Sequence, residues 1–190
     1  AIIRKEETRR YVVPSAPGKR HSGDTKVTDL LYKCYGQAIL DDDREEDFEE
    51  ILKVIKDRYD SIINGLELTI SLDDEFKTIQ ENFSKKIGRD YAASRGEYLN
   101  GIIMAVYLGY EFIDAAEVIF FDEEGEFDAE KTNEVLSERL AHTERAVIPG
   151  FYGSNPDGTI HTFSSGGSDI TGSFVARAVH ADMYENWTDV

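Results

Sequence analysis

Cysteine is almost missing from this sequence. Cys34 stands alone, which excludes a disulfide within one chain and any thiolate zinc cluster, and it reads as a small buried apolar residue. The four prolines are scattered, and no repeat or low-complexity stretch marks a linker. No apolar run approaches the roughly 18–20 residues that cross a bilayer, and Ala1 to Glu7 carry no signal-peptide pattern. The expectation is a cytoplasmic chain with no membrane partner. Positive charge is also scarce, with 21 Lys and Arg against 38 Asp and Glu and a formal net charge of −17. That balance opposes the phosphate attraction on which nucleic-acid binding rests, so DNA and RNA are excluded as partners. A nucleotide site in such a chain must draw local positive potential from helix N-termini, a lysine or a bound magnesium ion.

What is present is the composition of an ordinary folded domain, 41% hydrophobic and 31% charged. A chain of 190 residues can bury about 70% of its unfolded surface in one core. Tyr11 to Val13 form a β-prone run closed by Pro14 and a Ser-Ala-Pro-Gly loop. Apolar residues at helical spacing predict helices from Thr28 (Leu30, Leu31, Tyr35, Ile39), through Phe48 to Tyr59, from Leu72 to about Ile87, and from about Ser94. Asp41 to Asp47 read as a solvated acidic connection and helix start. Short strands are expected at Glu117–Phe121, Ala146–Ile148 and Met183–Trp187, with helices over Asp128–Leu140 and after Gly167. Asn155-Pro156-Asp157-Gly158 reads as a β-hairpin turn. Alternation of strands and helices predicts an α/β domain with a mainly parallel sheet.

Several tempting motifs fail. Gly18-Lys19 has Val13 where a phosphate-binding loop needs glycine and Arg20 where it needs Ser or Thr. Asp122 to Asp128 alternate carboxylates like a calcium loop, yet Phe127 and Asn133 occupy the required glycine and glutamate positions, so a turn is expected. The four histidines show no metal-binding spacing, and no metal site built by the protein is expected. Gly166-Gly167-Ser168-Asp169 is more informative. The glycines admit close backbone approach and the next residues open a helix, which makes an anion site. Taken alone, the same four residues are as simply a helix capped by Ser168 or Asp169.

They do not stand alone. Gly166, Gly167, Ser168, Asp169 and Thr171, followed by Trp187, Thr188, Asp189 and Val190, resemble the GRGGSD-x-T and WTDV motifs of the aspartate kinase family. Val12 to Ala16, Thr28 to Leu31, and Arg95-Gly96-Glu97 resemble the same family upstream, so the resemblance covers essentially the whole chain. It implies the three-layer α/β/α amino-acid-kinase sandwich and transfer of the ATP γ-phosphoryl group to the side-chain carboxylate of L-aspartate, in lysine, threonine and methionine biosynthesis. By the same resemblance Ser15 and Thr28 line the aspartate site with Gly166, Gly167 and Ser168. Glu97 and Asp169 recognise the ammonium group, with Asp169 at the catalytic centre, and Thr188 and Asp189 contact ATP. Magnesium arrives on the nucleotide phosphates, and a homo-oligomer is implied for the parent protein. Without the resemblance, Glu97 reads as a surface helix residue, Thr28 as a helix cap and Thr188 as an edge-strand residue.

Three departures from the family pattern stand out. The Lys-Phe-Gly-Gly strand, whose lysine neutralises the transferring phosphoryl group, is not in the sequence, and neither are the C-terminal ACT domains. The expectation is therefore a partial kinase domain over residues 1–190, incomplete at both ends. Ser165 stands where the family has arginine, which removes a charge-assisted fork for a carboxylate worth about 1.5–3 kcal/mol. These departures lead to the expectation that the chain alone is inactive. They also leave open a non-catalytic nucleotide-binding or dimerisation module of the same fold. The pairing of GGSD with WTDV favours aspartate over glutamate or uridylate as acceptor. GGSD is expected at a loop-to-helix junction beside the strands containing Val12 and Trp187.

Overall fold

A computed structural model describes residues 2–40, 45–164 and 166–187. After a 3-10 turn at Ile3–Lys5, the order is β1 (Tyr11–Val12), α1 (Val27–Ala38), α2 (Glu45–Gly65), α3 (Asp73–Ser84), α4 (Arg89–Leu108), β2 (Glu111–Phe112), α5 (Ala115–Val118) and α6 (Ala129–Ala141). Then come β3 (Ala146–Val147), β4 (Tyr152–Ser154), β5 (Ile160–Thr162) and α7 (Gly167–Ala178). β3 lies between β1 and β2 and is parallel to both, pairing Val12 with Val147 and Phe112 with Val147. β4 and β5 form the expected antiparallel hairpin around Asn155–Gly158.

The period-two alternation of a sheet buried on both faces sorts its side chains into two layers. Val12 and Val147 face α4 and pack with Ala105, whereas Ala146 and Ile148 face the other way onto Leu136 and Leu140 of α6 and Val175 of α7. Behind α4, the helices α1 to α3 close a separate core around Leu31, Ile55, Tyr59, Phe83 and Leu99. Helices thus cover both faces of a parallel sheet, the α/β/α arrangement expected from the sequence.

Local chemistry explains the boundaries. Asp128 caps α6 by accepting from the Lys131 N–H at 2.9 Å. Gly109 ends α4 at φ 71°, the left-handed conformation that glycine adopts most cheaply. Inside α4, Gly101 sits where an added Cβ would come within 2.7 Å of Pro149 Cγ, so its absence lets the helix lie close to the chain leaving β3. The Asp122–Asp128 segment is a turn, as expected. Asp122 Oδ1 accepts from the Glu124 and Glu126 N–H groups at 3.0 and 2.8 Å.

Three expectations need correction. Glu117 and Val118 are helical, because Asp114 accepts from the Ala116 N–H at 3.0 Å and starts a single turn, α5. Only Phe120 and Phe121, from the expected strand, make β-bridges. Met183–Trp187 is not a strand, and Met183, Tyr184 and Trp187 are exposed. α4 begins at Arg89 rather than near Ser94. β2 has no counterpart in the sequence reading. Asp41–Asp43, expected to be a solvated connection, lie outside the described residues.

Candidate active site

The loop leaving β1 and the first turn of α7 meet at two serines. Ser15 Oγ donates to Ser168 Oγ at 2.9 Å, bringing together two of the residues singled out from the sequence. The approach depends on Gly150, whose N–H donates to Pro14 O at 3.1 Å. A Cβ there would come within 2.7 Å of Ser168 Cα. Gly167 works the same way, since a Cβ on it would lie 2.7 Å from Phe151 Cα and 2.9 Å from Phe163 Cβ. Gly166 caps the helix at φ 63° and no side chain caps it. The simpler reading of Ser168 or Asp169 as the cap is therefore wrong, and the first turn of α7 carries no side-chain cap.

Glu97 enters from α4. It is 6% exposed, not the surface residue that its Gly-Glu setting suggests. Gly96 explains the burial: a Cβ on it would stand 2.9 Å from Ala16 Cβ and 3.5 Å from both Val27 Cγ1 and Leu31 Cδ1. α4 therefore packs directly on the β1–α1 loop and on α1. The Tyr59 hydroxyl donates to Gly96 O at 2.8 Å beneath. Burial pushes the Glu97 carboxyl up to about 7, offset in part by the nearby Ala16 N–H and by the positive charge of Arg95. Its Oε2 has no hydrogen-bond partner among the described residues. Arg95 is itself buried, its guanidinium 4.2 Å from the ring centre of Tyr98 and 4.5 Å from that of Tyr91.

Asp169 sits one residue beyond Ser168 and is exposed. Its Oδ1 accepts from Asn186 Nδ2 at 3.1 Å and its carbonyl from the Tyr184 hydroxyl at 3.4 Å. Ser15, Ser168 and Asp169 open onto a cleft of about 1060 Å³ between β1, α7 and the Tyr184–Trp187 segment. Arg9 bridges that cleft through a paired contact to Glu185, with Nε 2.5 Å and Nη2 2.9 Å from its two carboxylate oxygens.

Thr28 is half-buried in the first turn of α1, where Lys26 is the N-cap residue, so it is not a cap. Its neighbour Val27 packs on Gly96. GGSD does lie at a loop-to-helix junction beside the end of β1, but the Trp187 strand expected next to it is absent. Thr188 and Asp189, the expected ATP contacts, and Ser165, the arginine position, lie outside the described residues. Sequence reasoning missed Asn100, whose Nδ2 donates to Ser15 O at 2.7 Å. Its signal was its place one helical turn after Glu97.

A chemical capacity follows from this arrangement. A buried carboxylate with one unpartnered oxygen suits an ammonium group, while hydroxyls and helix N–H groups suit a carboxylate or phosphate. The chain is 48% identical to Clostridium acetobutylicum aspartate kinase, superposing at a TM-score of 0.91 over all of this chain and 43% of that one. It is 36% identical to aspartokinase 3 of Bacillus subtilis (strain 168), covering all of this chain and 44% of that protein. A crystal structure of E. coli aspartokinase III in complex with aspartate and ADP shares the fold, with a TM-score of 0.78 at 23% identity. The chain thus spans less than half the length of these relatives. Residues 3–190 match the amino acid kinase family, and to that family the chain belongs.

Proposed function

We propose that the chain is the part of an aspartate kinase that binds L-aspartate, and that the parent protein transfers the ATP γ-phosphoryl group to its side-chain carboxylate. The observation that carries this reading is Glu97, a buried carboxylate with one oxygen unpartnered among the described residues, on the helix whose Gly96 packs on Ala16 next to the Ser15–Ser168 contact. Glu97 would hold the substrate ammonium group together with Asp169. Ser15, Ser168 and the N–H groups of Gly166 and Gly167 would hold carboxylate oxygens, with Thr28 at the rim. Thr188 and Asp189 would contact ATP.

Phosphoryl transfer needs two anions held in line, so the protein acts mainly by positioning and by neutralising charge. No group of three or more His, Cys, Asp or Glu among the described residues could hold a metal ion. Magnesium would come with the nucleotide phosphates, to neutralise the charge between nucleotide and acceptor. The parent protein would be a cytoplasmic, homo-oligomeric biosynthetic enzyme; no described helix is long and apolar enough to cross a membrane.

The test is an NMR titration of the labelled chain with L-aspartate, L-glutamate and uridine monophosphate. The expected result is saturable shifts at Ser15, Glu97 and Ser168 with L-aspartate and far weaker ones with the others. Equal responses, or shifts confined to another face, would contradict the proposal.

A further inference from the structure

Ser15 and Ala16 share one peptide group, and α4 contacts both ends of it. Asn100 Nδ2 donates to the Ser15 carbonyl at 2.7 Å, and the Ala16 N–H at the other end lies towards the Glu97 carboxylate and favours its charged form. The two gripping residues are three apart on a continuous helix, so their side chains project from the same face about one turn apart. Gly96 on the same helix brings its backbone close enough for both to reach, as the 2.9 Å approach to Ala16 Cβ indicates. The loop from Val13 to Lys26 has no regular secondary structure of its own, so its conformation at Ser15 must be imposed from outside.

We propose that Asn100 is a positioning residue: with Glu97 it clamps the Ser15–Ala16 peptide plane and thereby aims the Ser15 hydroxyl at Ser168. Rotation of that plane would swing the Ser15 Cα–Cβ bond away from α7 and turn the Ala16 N–H away from the Glu97 carboxylate. The clamp therefore couples the two halves of the site. The residue type is specific to the task. A carbonyl needs a donor, and the isosteric carboxylate of aspartate would present an acceptor to an acceptor. The effect on substrate rests on the aspartate-kinase reading above, whereas the clamp itself does not.

The experiment compares the chain with its Asn100→Asp and Asn100→Ala variants, labelled with ¹⁵N and checked for retained fold by their spectra. Amide hydrogen exchange without ligand reads the clamp. Ala16 should exchange about tenfold or more faster in both variants, with shifts at Ser15 and Ser168, while amides of β3 and α6 keep their rates. Calorimetry with L-aspartate and with succinate, which lacks the amine, reads the consequence. Affinity for L-aspartate should fall about tenfold in Asn100→Asp, about 1.4 kcal/mol, and less in Asn100→Ala. Unchanged Ala16 exchange in either folded variant overturns the clamp. Unchanged L-aspartate affinity in both, with the parent chain binding normally, overturns its role in the site. If the parent chain itself binds neither ligand, the proposed function fails and the exchange rates alone decide the clamp. Should Asn100→Asp not fold, Asn100→Ala carries both measurements.

Discussion

A carboxylate that is 6% exposed, with one oxygen lacking a partner among the described residues, costs folding free energy whenever it is ionised. Glu97 is in that position. Its folded pKa is raised from 4.5 to about 7, chiefly by burial, so the native state binds more protons than the unfolded chain between those values. Its contribution to stability is present below about pH 4.5 and is lost as pH rises to about 7. The Glu97→Gln variant should therefore be more stable than the parent chain at pH 8, by about 1–3 kcal/mol, with the advantage gone near pH 4.5. Urea unfolding at the two pH values measures the difference. A pH-independent difference would mean that Glu97 titrates normally. The same substitution should weaken L-aspartate binding about tenfold or more, because a neutral amide offers the ammonium group a hydrogen bond but no counter-charge. Burial of this residue was not legible in the sequence. Gly-Glu at a helix start looks exposed, and only the close packing of Gly96 on Ala16 hides it.

Loops and helices meet the site through a few anchors. The β1–α1 loop is tied to α2 by Arg58, which is 4% exposed. It donates to Thr25 O at 2.7 Å and to Gly18 O, and pairs with Asp24 at 3.1 Å. Replacing it by Met would strand those acceptors. We expect Arg58→Met to cost about 2–4 kcal/mol, short of the upper range for a buried pair because Arg20 still accompanies Asp24 at 2.9 Å. Chemical denaturation checks this, and a loss below about 0.5 kcal/mol would place the pair among weak surface bridges. On the other side, Gly150→Ala would drive a methyl into the backbone of Ser168 and should destabilise by about 1–3 kcal/mol, with broadened Ser15 and Ser168 signals. Helices α1, α2, α3 and α6 were legible because long amphipathic patterns leave little choice. Met183–Trp187 misled because an apolar run specifies burial or pairing only where a partner strand lies alongside. Here the segment is drawn across the cleft by the Arg9–Glu185 pair instead. β2 was missed because two residues carry no detectable alternation; its pairing is set by β3.

At the scale of the whole molecule, the chain folds helices on both faces of a parallel sheet. It spans about 44% of the length of its Bacillus relative, and its sequence contains no Lys-Phe-Gly-Gly lysine for the transferring phosphoryl group. Loss of such charge stabilisation costs several kcal/mol of barrier. A coupled ADP-release assay on the chain alone should therefore show no aspartate-dependent ATP consumption, and robust turnover would mean that another cation serves. The α/β class and the Gly166–Asp169 helix start were legible because spacing and glycine chemistry are local. The contact of Ser15 with Ser168, and the packing of Gly96 beside Ala16, were available only through family resemblance, since three elements must fold before they exist. The central claim is that Glu97 receives the ammonium group of aspartate, and the most direct measurement is the ¹³C titration of its side-chain carboxyl with and without saturating L-aspartate. The account predicts a midpoint near 7 in the free chain that falls by at least one unit when L-aspartate is bound, but not when succinate is. A midpoint that L-aspartate leaves unmoved at saturation would contradict it.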